Sequence, residues 1–267
     1  DALEEERFLT IAAESIGQLM KTSPNFIPYF INGLWPVFNN MLGSNFGDDE
    51  HRVALCIVDD FIENGGTATH QFFDRMIPAL LTYAVHDNPE LRQAAVYGIG
   101  ACAQYAGEPF EQVVQKALEV LGSVVLRADA RKREAKPATA NAVSALYKFV
   151  LYRGNNPYVA ANMPRLIQTW LGALPVGGDM IEARIVHNHL VQQVQQNNPL
   201  VLGQNHANIP KILQVFADIV NTQAVGHETQ GIIVQLLKQM SQQPQFFQQA
   251  TSTLTNEQKQ KLQAIMQ

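Results

Sequence analysis

Apolar residues recur at helical spacing through most of the chain. Between residues 3 and 20, for example, Phe8, Ile11, Ile16 and Leu19 recur with glutamates between them. This is the pattern of a helix with one buried face. No stretch alternates apolar and polar residues in the way that predicts a β-strand. The sequence therefore predicts an all-α fold.

The stretch HDNPELRQAA, from His86 to Ala95, predicts a sharp corner between two helices. Asn88 is suited to cap the second helix, because its side chain can accept a hydrogen bond from the exposed backbone N–H groups. Pro89 suits the first helical position, and Glu90 suits the positive helix end. In that second helix Gly98 and Gly100 predict close packing against a neighbouring helix, since each glycine costs helix stability.

The same arrangement recurs along the chain. A proline lies within the first helix of several predicted pairs, at Pro28, Pro78, Pro164 and Pro210. The interval is roughly 40 to 47 residues once a unit without proline is allowed for, which is typical of HEAT and armadillo repeats. We predict a right-handed α-α superhelix, a HEAT-repeat solenoid, as one array over residues 1–267. The predicted hairpins are 24–64, 71–106, 110–153, 158–197 and 209–242, followed by capping helices over 244–267.

The two ends of the chain differ from the repeats. The first residues, DALEEERFLT, lie inside a helical pattern without a methionine, so we expect a piece of a longer chain. The glutamine-rich C-terminal region contains Thr255 and Gln258 at the spacing of a capping box, which predicts a last helix. A frayed glutamine-rich tail is the alternative.

Composition excludes several classes of protein. A net charge of -5 and a pI near 5.8 argue against direct binding of nucleic acid. Cys56 and Cys102 are far apart, which is typical of a reduced intracellular protein, and we expect both to be small core residues. No apolar run approaches the roughly 20 residues that span a bilayer, so we expect no membrane insertion.

The sequence offers no metal or cofactor site. His187 and His189 are two residues apart on a predicted helix, so they point to different sides and cannot share a zinc ion. The glycine pairs lack the flanking strand of a phosphate-binding loop. We therefore expect a binding protein without cofactors, and not an enzyme.

Three carboxylates on one predicted helix are the strongest local candidates for function. Asp59, Asp60 and Glu63 are spaced so that they share one side of the helix. The cluster has three interpretations. It can be an ordinary solvated face, a contact for a basic partner, or a catalytic acid–base pair, which would need a pocket that separates the pKa values.

Several stretches resemble a known family. In HEAT-repeat turns an acidic residue at the corner and an arginine early in the second helix link successive repeats, and Asp87 and Arg92 occupy those places. More specifically, the sequence resembles the importin-beta family of nuclear import receptors. The matching stretches are HRVALCIVDDFIENGG, NPELRQAAVYGIGACAQYAG, ATANAVSALYKF, WLGALP and NNPLVLGQNHANIPKI.

The resemblance implies a receptor that shuttles between cytoplasm and nucleus. Its second helices would line a concave face and bind basic cargo, and its hydrophobic clefts would bind phenylalanine-glycine (FG) nucleoporins. Ran GTPase would bind mainly to N-terminal repeats outside this chain. We assign cargo contacts to Asp59, Asp60, Glu63, Asn141 and Asn188.

Phe72 and Phe73 are the nucleoporin candidates, because adjacent helical residues cannot both face the same side. Periodicity alone supports a second hypothesis equally well. A HEAT-repeat scaffold of a phosphatase, kinase or other regulatory complex would have the same pattern.

Overall fold

The computed structural model describes the backbone of residues 2–267 and the side chains of Glu4 and residues 7–267. The all-α prediction is confirmed, and no strand occurs in this part of the chain. The chain divides into two compact units, Asp1–Ala161 and Asn162–Gln267. The single array over residues 1–267 stays a prediction.

The helices of the first unit form successive hairpins. They are α1 Ala2–Thr22, α2 Ile27–Tyr29, α3 Trp35–Met41, α4 Asp48–Asn64, α5 Phe73–Tyr83, α6 Pro89–Tyr105, α7 Val114–Val125 and α8 Lys136–Tyr152. The chain continues with α9 Pro157–Ala173, α10 Met180–Gln195, α11 Pro199–Leu202, α12 Ile209–Ile219, α13 His227–Ser241, α14 Pro244–Ala250 and α15 Asn256–Met266.

The corner before α6 has the predicted geometry. The side chain of Asn88 accepts a hydrogen bond from the backbone N–H of Glu90 at 2.9 Å, and Pro89 is the first residue of the helix. The amide of Asn88 also donates to the carboxylate of Asp48 at 2.8 Å. Because Asp48 begins α4, this one side chain caps α6 and links it to the preceding hairpin.

Helix α6 packs between α4 and α8 at the centre of the first unit. Its glycines allow this close approach, as predicted. A Cβ atom on Gly100 would lie 3.1 Å from the Cβ atom of Ala145 in α8. A Cβ atom on Gly98 would lie 2.6 Å from a methyl group of Leu80 in α5. Small residues in α6 therefore allow the neighbouring helices to pack closely against it.

Aromatic rings form the core of the first hairpins. The ring centroids of Phe30 and Phe61 are 5.0 Å apart, and those of Trp35 and Phe61 are 5.7 Å apart. The ring of Phe72 joins them, 4.9 Å from Trp35 and 5.8 Å from Phe61. Such tilted contacts contribute about 1 kcal/mol each beyond the apolar area that they bury.

In the second unit, a buried histidine connects three segments. His187 of α10 is 0% exposed. Its Nε2 accepts from the backbone N–H of Val176 at 3.2 Å, and its Nδ1 lies 2.8 Å from the backbone oxygen of Ala224. A carbonyl oxygen can only accept, so Nδ1 carries the proton and the ring is neutral. Burial lowers the pKa of His187, which agrees with this assignment.

The C-terminal helix is ordered by the predicted capping box. The hydroxyl of Thr255 accepts from the N–H of Gln258 at 3.2 Å, and the side chain of Gln258 accepts from the N–H of Thr255 at 3.0 Å. Gln258 also donates to Asp218 of α12 at 2.9 Å, and Leu262 is buried. The alternative of a frayed tail is therefore wrong.

The two cysteines have different environments. Cys102 is buried in α6, as predicted, but Cys56 is exposed. The prediction for Cys56 is wrong, because this residue lies on the same side of α4 as the half-buried Arg52 and Asp60, four residues away on either side. None of the helices in the described part of the chain is long and apolar enough to cross a membrane.

Candidate functional site

Asp59 is buried, so the three carboxylates of α4 do not share one exposed face. It is 5% exposed and faces α6, where a Cβ atom on Gly98 would collide with its Oδ1 atom. Oδ1 has no hydrogen-bond partner among the described residues. Burial raises the pKa of Asp59 well above its usual range, Asp60 and Glu63 raise it further, and Lys148 lowers it. The expectation that Asp59 is available to a partner is wrong, because the missing side chain of Gly98 admits this carboxyl into the helix interface.

Asp60 and Glu63 remain half-buried at the surface of α4. Asp60 faces α1, and a Cβ atom on Gly17 would collide with its carboxylate. Burial, and after it the charge of Glu63, raise the pKa of Asp60 to about 6, against the opposing effect of Lys21. Glu63 accepts a hydrogen bond from the hydroxyl of Tyr97 in α6 at 2.7 Å. Because Asp60 and Glu63 are negatively charged neighbours, a cation beside them would be favoured.

A strip of polar side chains crosses three helices of the first unit. It consists of Asp60 and Glu63 of α4, Tyr97 of α6 and Lys148 of α8, and we call it the polar strip. The Nζ atom of Lys148 lies 5.1 Å from the centre of the Tyr97 ring, within the range of a cation–π interaction. Tyr105 is 44% exposed. Partial burial raises the pKa of Tyr105, and the nearby charge of Glu63 adds to this effect. The strip thus combines carboxylates with accessible aromatic surface.

Sequence reasoning did not single out Tyr97 or Lys148. Both lie on second helices of their hairpins, at positions that the apolar stripe leaves open. A systematic search for polar residues opposite that stripe would have found them.

The two candidate asparagines have different surroundings. Asn141 is 3% exposed, and its amide donates to the backbone oxygen of Pro137 at 2.9 Å. The expectation of an accessible Asn141 is therefore wrong, because it lies one helical turn before Ala145, on the side of α8 that packs against α6. In the second unit, Asn188 of α10 is half-buried and accepts from the hydroxyl of Thr229 in α13 at 3.1 Å.

Phe72 and Phe73 do not line an exposed groove. Phe72 is half-buried in the aromatic core described above, against Trp35 and Phe61. Phe73 is buried at 8% exposure, with its ring 5.2 Å from that of His70. The expectation fails because the helix begins between them. Phe72 belongs to a 3₁₀ segment and Phe73 to α5, so the two side chains can both point inward.

Arg92 is buried and holds the corner before α6. Its Nη1 atom donates to the backbone oxygens of His86 and Asp87, both at 2.7 Å. Its Nη2 atom lies 3.8 Å from a carboxylate oxygen of Asp129, in the loop that follows α7. The carboxylate of Asp87 is fully exposed and lies 4.0 Å from Arg127 instead. Arg92 therefore contacts its own corner and the next hairpin, whereas the Asp87 carboxylate does not pair with Arg92.

A second buried arginine was missed by the sequence analysis. Arg153 follows α8 and donates to the backbone oxygens of Cys102, Ala103 and Gly107, at 3.1, 2.7 and 3.0 Å. It also pairs with Glu111 at 2.7 Å. Arg153 thus satisfies the carbonyl groups at the C-terminal end of α6, where a cation is favoured. A basic residue just before a glycine was the available signal.

The chemistry of these residues suits binding. Asp59 is sealed behind α6 and cannot reach a substrate, and the described side chains contain no group of three potential metal ligands. The polar strip offers carboxylates and tyrosine rings to a cationic partner.

Comparison with known proteins identifies related chains. No family model matches. The chain is 26% identical to importin subunit beta-3 of Saccharomyces cerevisiae over 239 residues, which cover 88% of this chain and 21% of the relative. It is 29% identical to importin-4 of Mus musculus over 258 residues, which cover 96% of this chain and 23% of the relative. The chain thus spans about a fifth of the length of these relatives and is homologous to them over most of its own length.

The fold is also similar to solved structures. Kap121p bound to RanGTP matches with a TM-score of 0.75 at 21% identity, over 97% of this chain and 23% of that one. Kap121p bound to Nup53p matches with a TM-score of 0.74 at 21% identity, over 99% of this chain and 23% of that one. The fold is that of a HEAT-repeat solenoid.

Proposed function

We propose that this chain, a homologue of the importins, is a segment of a nuclear transport receptor that binds basic cargo without catalysing a reaction. The homology over 88% of the chain supports the transport role. The polar strip supports a cationic partner, because the half-buried carboxylate of Glu63 accepts a hydrogen bond from Tyr97 and a second half-buried carboxylate, Asp60, lies about one helical turn before it. The full receptor would move between cytoplasm and nucleus.

The proposal includes fewer cargo-contact residues than were expected from the sequence. Asp60 and Glu63 are retained in the first unit, and Asn188 in the second. Asp59 and Asn141 are not direct contacts in this proposal, because both are buried.

Binding of FG nucleoporins and of Ran GTPase belongs to the whole receptor in this proposal. The complexes of Kap121p with RanGTP and Nup53p are the support for it. Phe72 and Phe73 are not proposed as the nucleoporin site, since both rings pack inside the first unit.

The cargo proposal is tested with a fluorescent lysine- and arginine-rich peptide. We expect the double variant Asp60→Asn with Glu63→Gln to bind it about tenfold more weakly, and added salt to weaken wild-type binding. The matched control is Glu108→Gln with Glu119→Gln, which removes the same charge from exposed sites elsewhere in the first unit. Equal weakening by both double variants, or none by the first, would show that the polar strip is not the site.

A capture experiment tests the transport role separately. The chain is immobilised and exposed to cell extract, and bound proteins are identified. We expect nuclear proteins with basic segments. Stoichiometric recovery of a phosphatase or kinase subunit would favour the scaffold hypothesis instead.

A further inference from the structure

The loop between α10 and α12 has an unusual backbone. Asn197, Asn205 and His206 have φ angles of 54°, 52° and 60°. Residues other than glycine adopt this left-handed conformation rarely, because the Cβ atom is crowded there. It persists only where the surroundings determine it, and such positions concentrate at binding sites. The loop is therefore a candidate for part of a binding site.

Hydrogen bonds hold this loop in one conformation. The backbone N–H of Asn208 donates to the backbone oxygen of Leu202 at 2.9 Å. The side-chain amide of Asn208 donates to the backbone oxygen of Val201 at 2.9 Å. Asn198 caps α11 through the N–H of Leu200 at 2.9 Å, and its amide donates to Gln193 at 2.6 Å. The loop is thus a preformed wall.

Behind this wall lies a cavity of about 200 Å³ in the second unit. Its floor is apolar and irregular, because it is built mainly from branched or flexible side chains. These floor residues are Val194, Leu202, Ile209, Leu236 and Met240, with Phe246 at one side.

The rim of the cavity carries uncharged polar groups. Asn197, Gln239 and Gln243 are exposed, and their side-chain amides make no hydrogen bond with any described residue. No lysine, arginine, aspartate or glutamate is among the described residues that line the cavity. The apolar floor can contact one apolar side chain of a peptide. The amides of the rim can then form hydrogen bonds with the peptide groups on either side of that side chain.

We infer that this cavity binds an uncharged peptide segment through one aliphatic side chain of the size of leucine or methionine. The volume accommodates one such side chain. A flat aromatic ring fits less well, because the rings of His206 and Phe246 meet at 76° and do not form parallel walls. A charged side chain is disfavoured because no lysine, arginine, aspartate or glutamate is among the described residues that line the cavity. This site does not depend on the proposed transport function.

The test uses three peptides, acetyl-Gly-Leu-Gly-amide and its phenylalanine and lysine counterparts. The methyl groups of the methionines are labelled with ¹³C, and Met240 is assigned with the variant Met240→Leu. We expect the leucine peptide to shift the Met240 signal with a Kd on the order of 1 mM, as befits a single anchor. The phenylalanine peptide should bind at least threefold more weakly, and the lysine peptide should cause no shift. Tighter binding of the phenylalanine peptide, or no shift with leucine, overturns the inference.

Two variants and a control locate the site. Phe246→Ala removes a wall and should weaken leucine-peptide binding at least fivefold. Phe247→Ala is the matched control, because this neighbour in α14 is also half-buried but lines a different cavity, beside Leu262. Gln243→Leu changes only an exposed rim amide and should weaken binding about threefold without affecting the fold. Equal effects of Phe246→Ala and Phe247→Ala, or no effect of Gln243→Leu, would refute the assignment.

Discussion

The carboxyl group of Asp59 lies where the side chain of residue 98 would be if that residue were not glycine. An acidic residue of α4 therefore fills a notch in α6. Its Oδ1 atom has no hydrogen-bond partner in the described part of the chain, so the ionised form is poorly accommodated. The same relationship exists between Asp60 and Gly17 of α1. Substitutions at these two contacts should therefore change the stability of the protein.

Gly98→Ala should destabilise the protein, although alanine favours helix by about 1 kcal/mol. The new Cβ atom would collide with Asp59 and would lie 2.6 Å from Leu80. We expect a net loss of about 1–3 kcal/mol in the free energy of unfolding, measured in urea. Gly122→Ala in α7 is the matched control and should stabilise the protein, since no described atom lies within 4 Å of its Cβ position apart from its chain neighbours and its own helix backbone. Stabilisation by both substitutions would contradict the packing argument.

Asp59→Asn should stabilise the protein at neutral pH. The pKa of Asp59 is raised, so the folded state binds this proton more tightly than the unfolded state. Stability therefore falls as pH rises above about 4, the ordinary pKa of an aspartate. Asp60, with a pKa of about 6, contributes to the same loss between about pH 4 and pH 6.

Urea unfolding at pH 5 and pH 8 tests this prediction. We expect the decrease in stability from pH 5 to pH 8 to be smaller in Asp59→Asn by about 1.4 kcal/mol for each pKa unit of the shift realised within that range. Asp74→Asn, at an exposed position of α5, should keep the wild-type decrease. An unchanged decrease in Asp59→Asn would be inconsistent with a raised pKa.

The effect of His187 on the pH dependence of stability should be opposite to that of Asp59. Its folded pKa is lowered, so the unfolded state binds the proton more tightly below about pH 6.5. Its contribution to stability is therefore lost as pH falls below that value. Protonation also removes the acceptor that Val176 uses.

The contribution of His187 is obtained by comparing variants, since the raised pKa values of Asp59 and Asp60 also make stability depend on pH. Between pH 7.5 and pH 5, we expect wild type to lose about 1 kcal/mol more stability than His187→Gln. His227→Gln, at an exposed position, should behave like wild type. If His187→Gln and wild type have the same pH dependence, the histidine does not titrate as described.

Arg153→Met should lower the free energy of unfolding by about 3 kcal/mol, because buried carbonyl groups lose charged donors. Three backbone oxygens near the end of α6 depend on this side chain. Arg131→Met, in the exposed loop after α7, should change stability by less than about 0.5 kcal/mol. Thermal or urea unfolding checks both, and equal small effects would refute the capping role.

Local signals in the sequence predicted the helices and their caps well. Asn88 and Thr255 act on backbone groups two or three residues away, so their roles follow from neighbouring residues alone. The positions of Asp59 and Asn141 did not follow, because burial depends on what the adjacent helix presents. The helical period identifies an apolar face, but it does not show that a partner helix carries a glycine opposite a carboxylate.

The aromatic pair at the start of α5 illustrates the same limit of local reasoning. Its inward orientation depends on a change from 3₁₀ to α-helical geometry between Phe72 and Phe73. That change is one residue long, and no periodicity in the sequence marks it.

Lys148 places a positive charge beside the tyrosine ring of the polar strip. A basic partner that approaches Glu63 meets a tyrosine ring beside which a lysine ammonium already lies. Association would then be an ion exchange, in which one ammonium replaces another and Lys148 turns toward water. In the proposed receptor, Lys148 would compete with a single cation for the tyrosine ring, and this competition would favour partners that carry several positive charges.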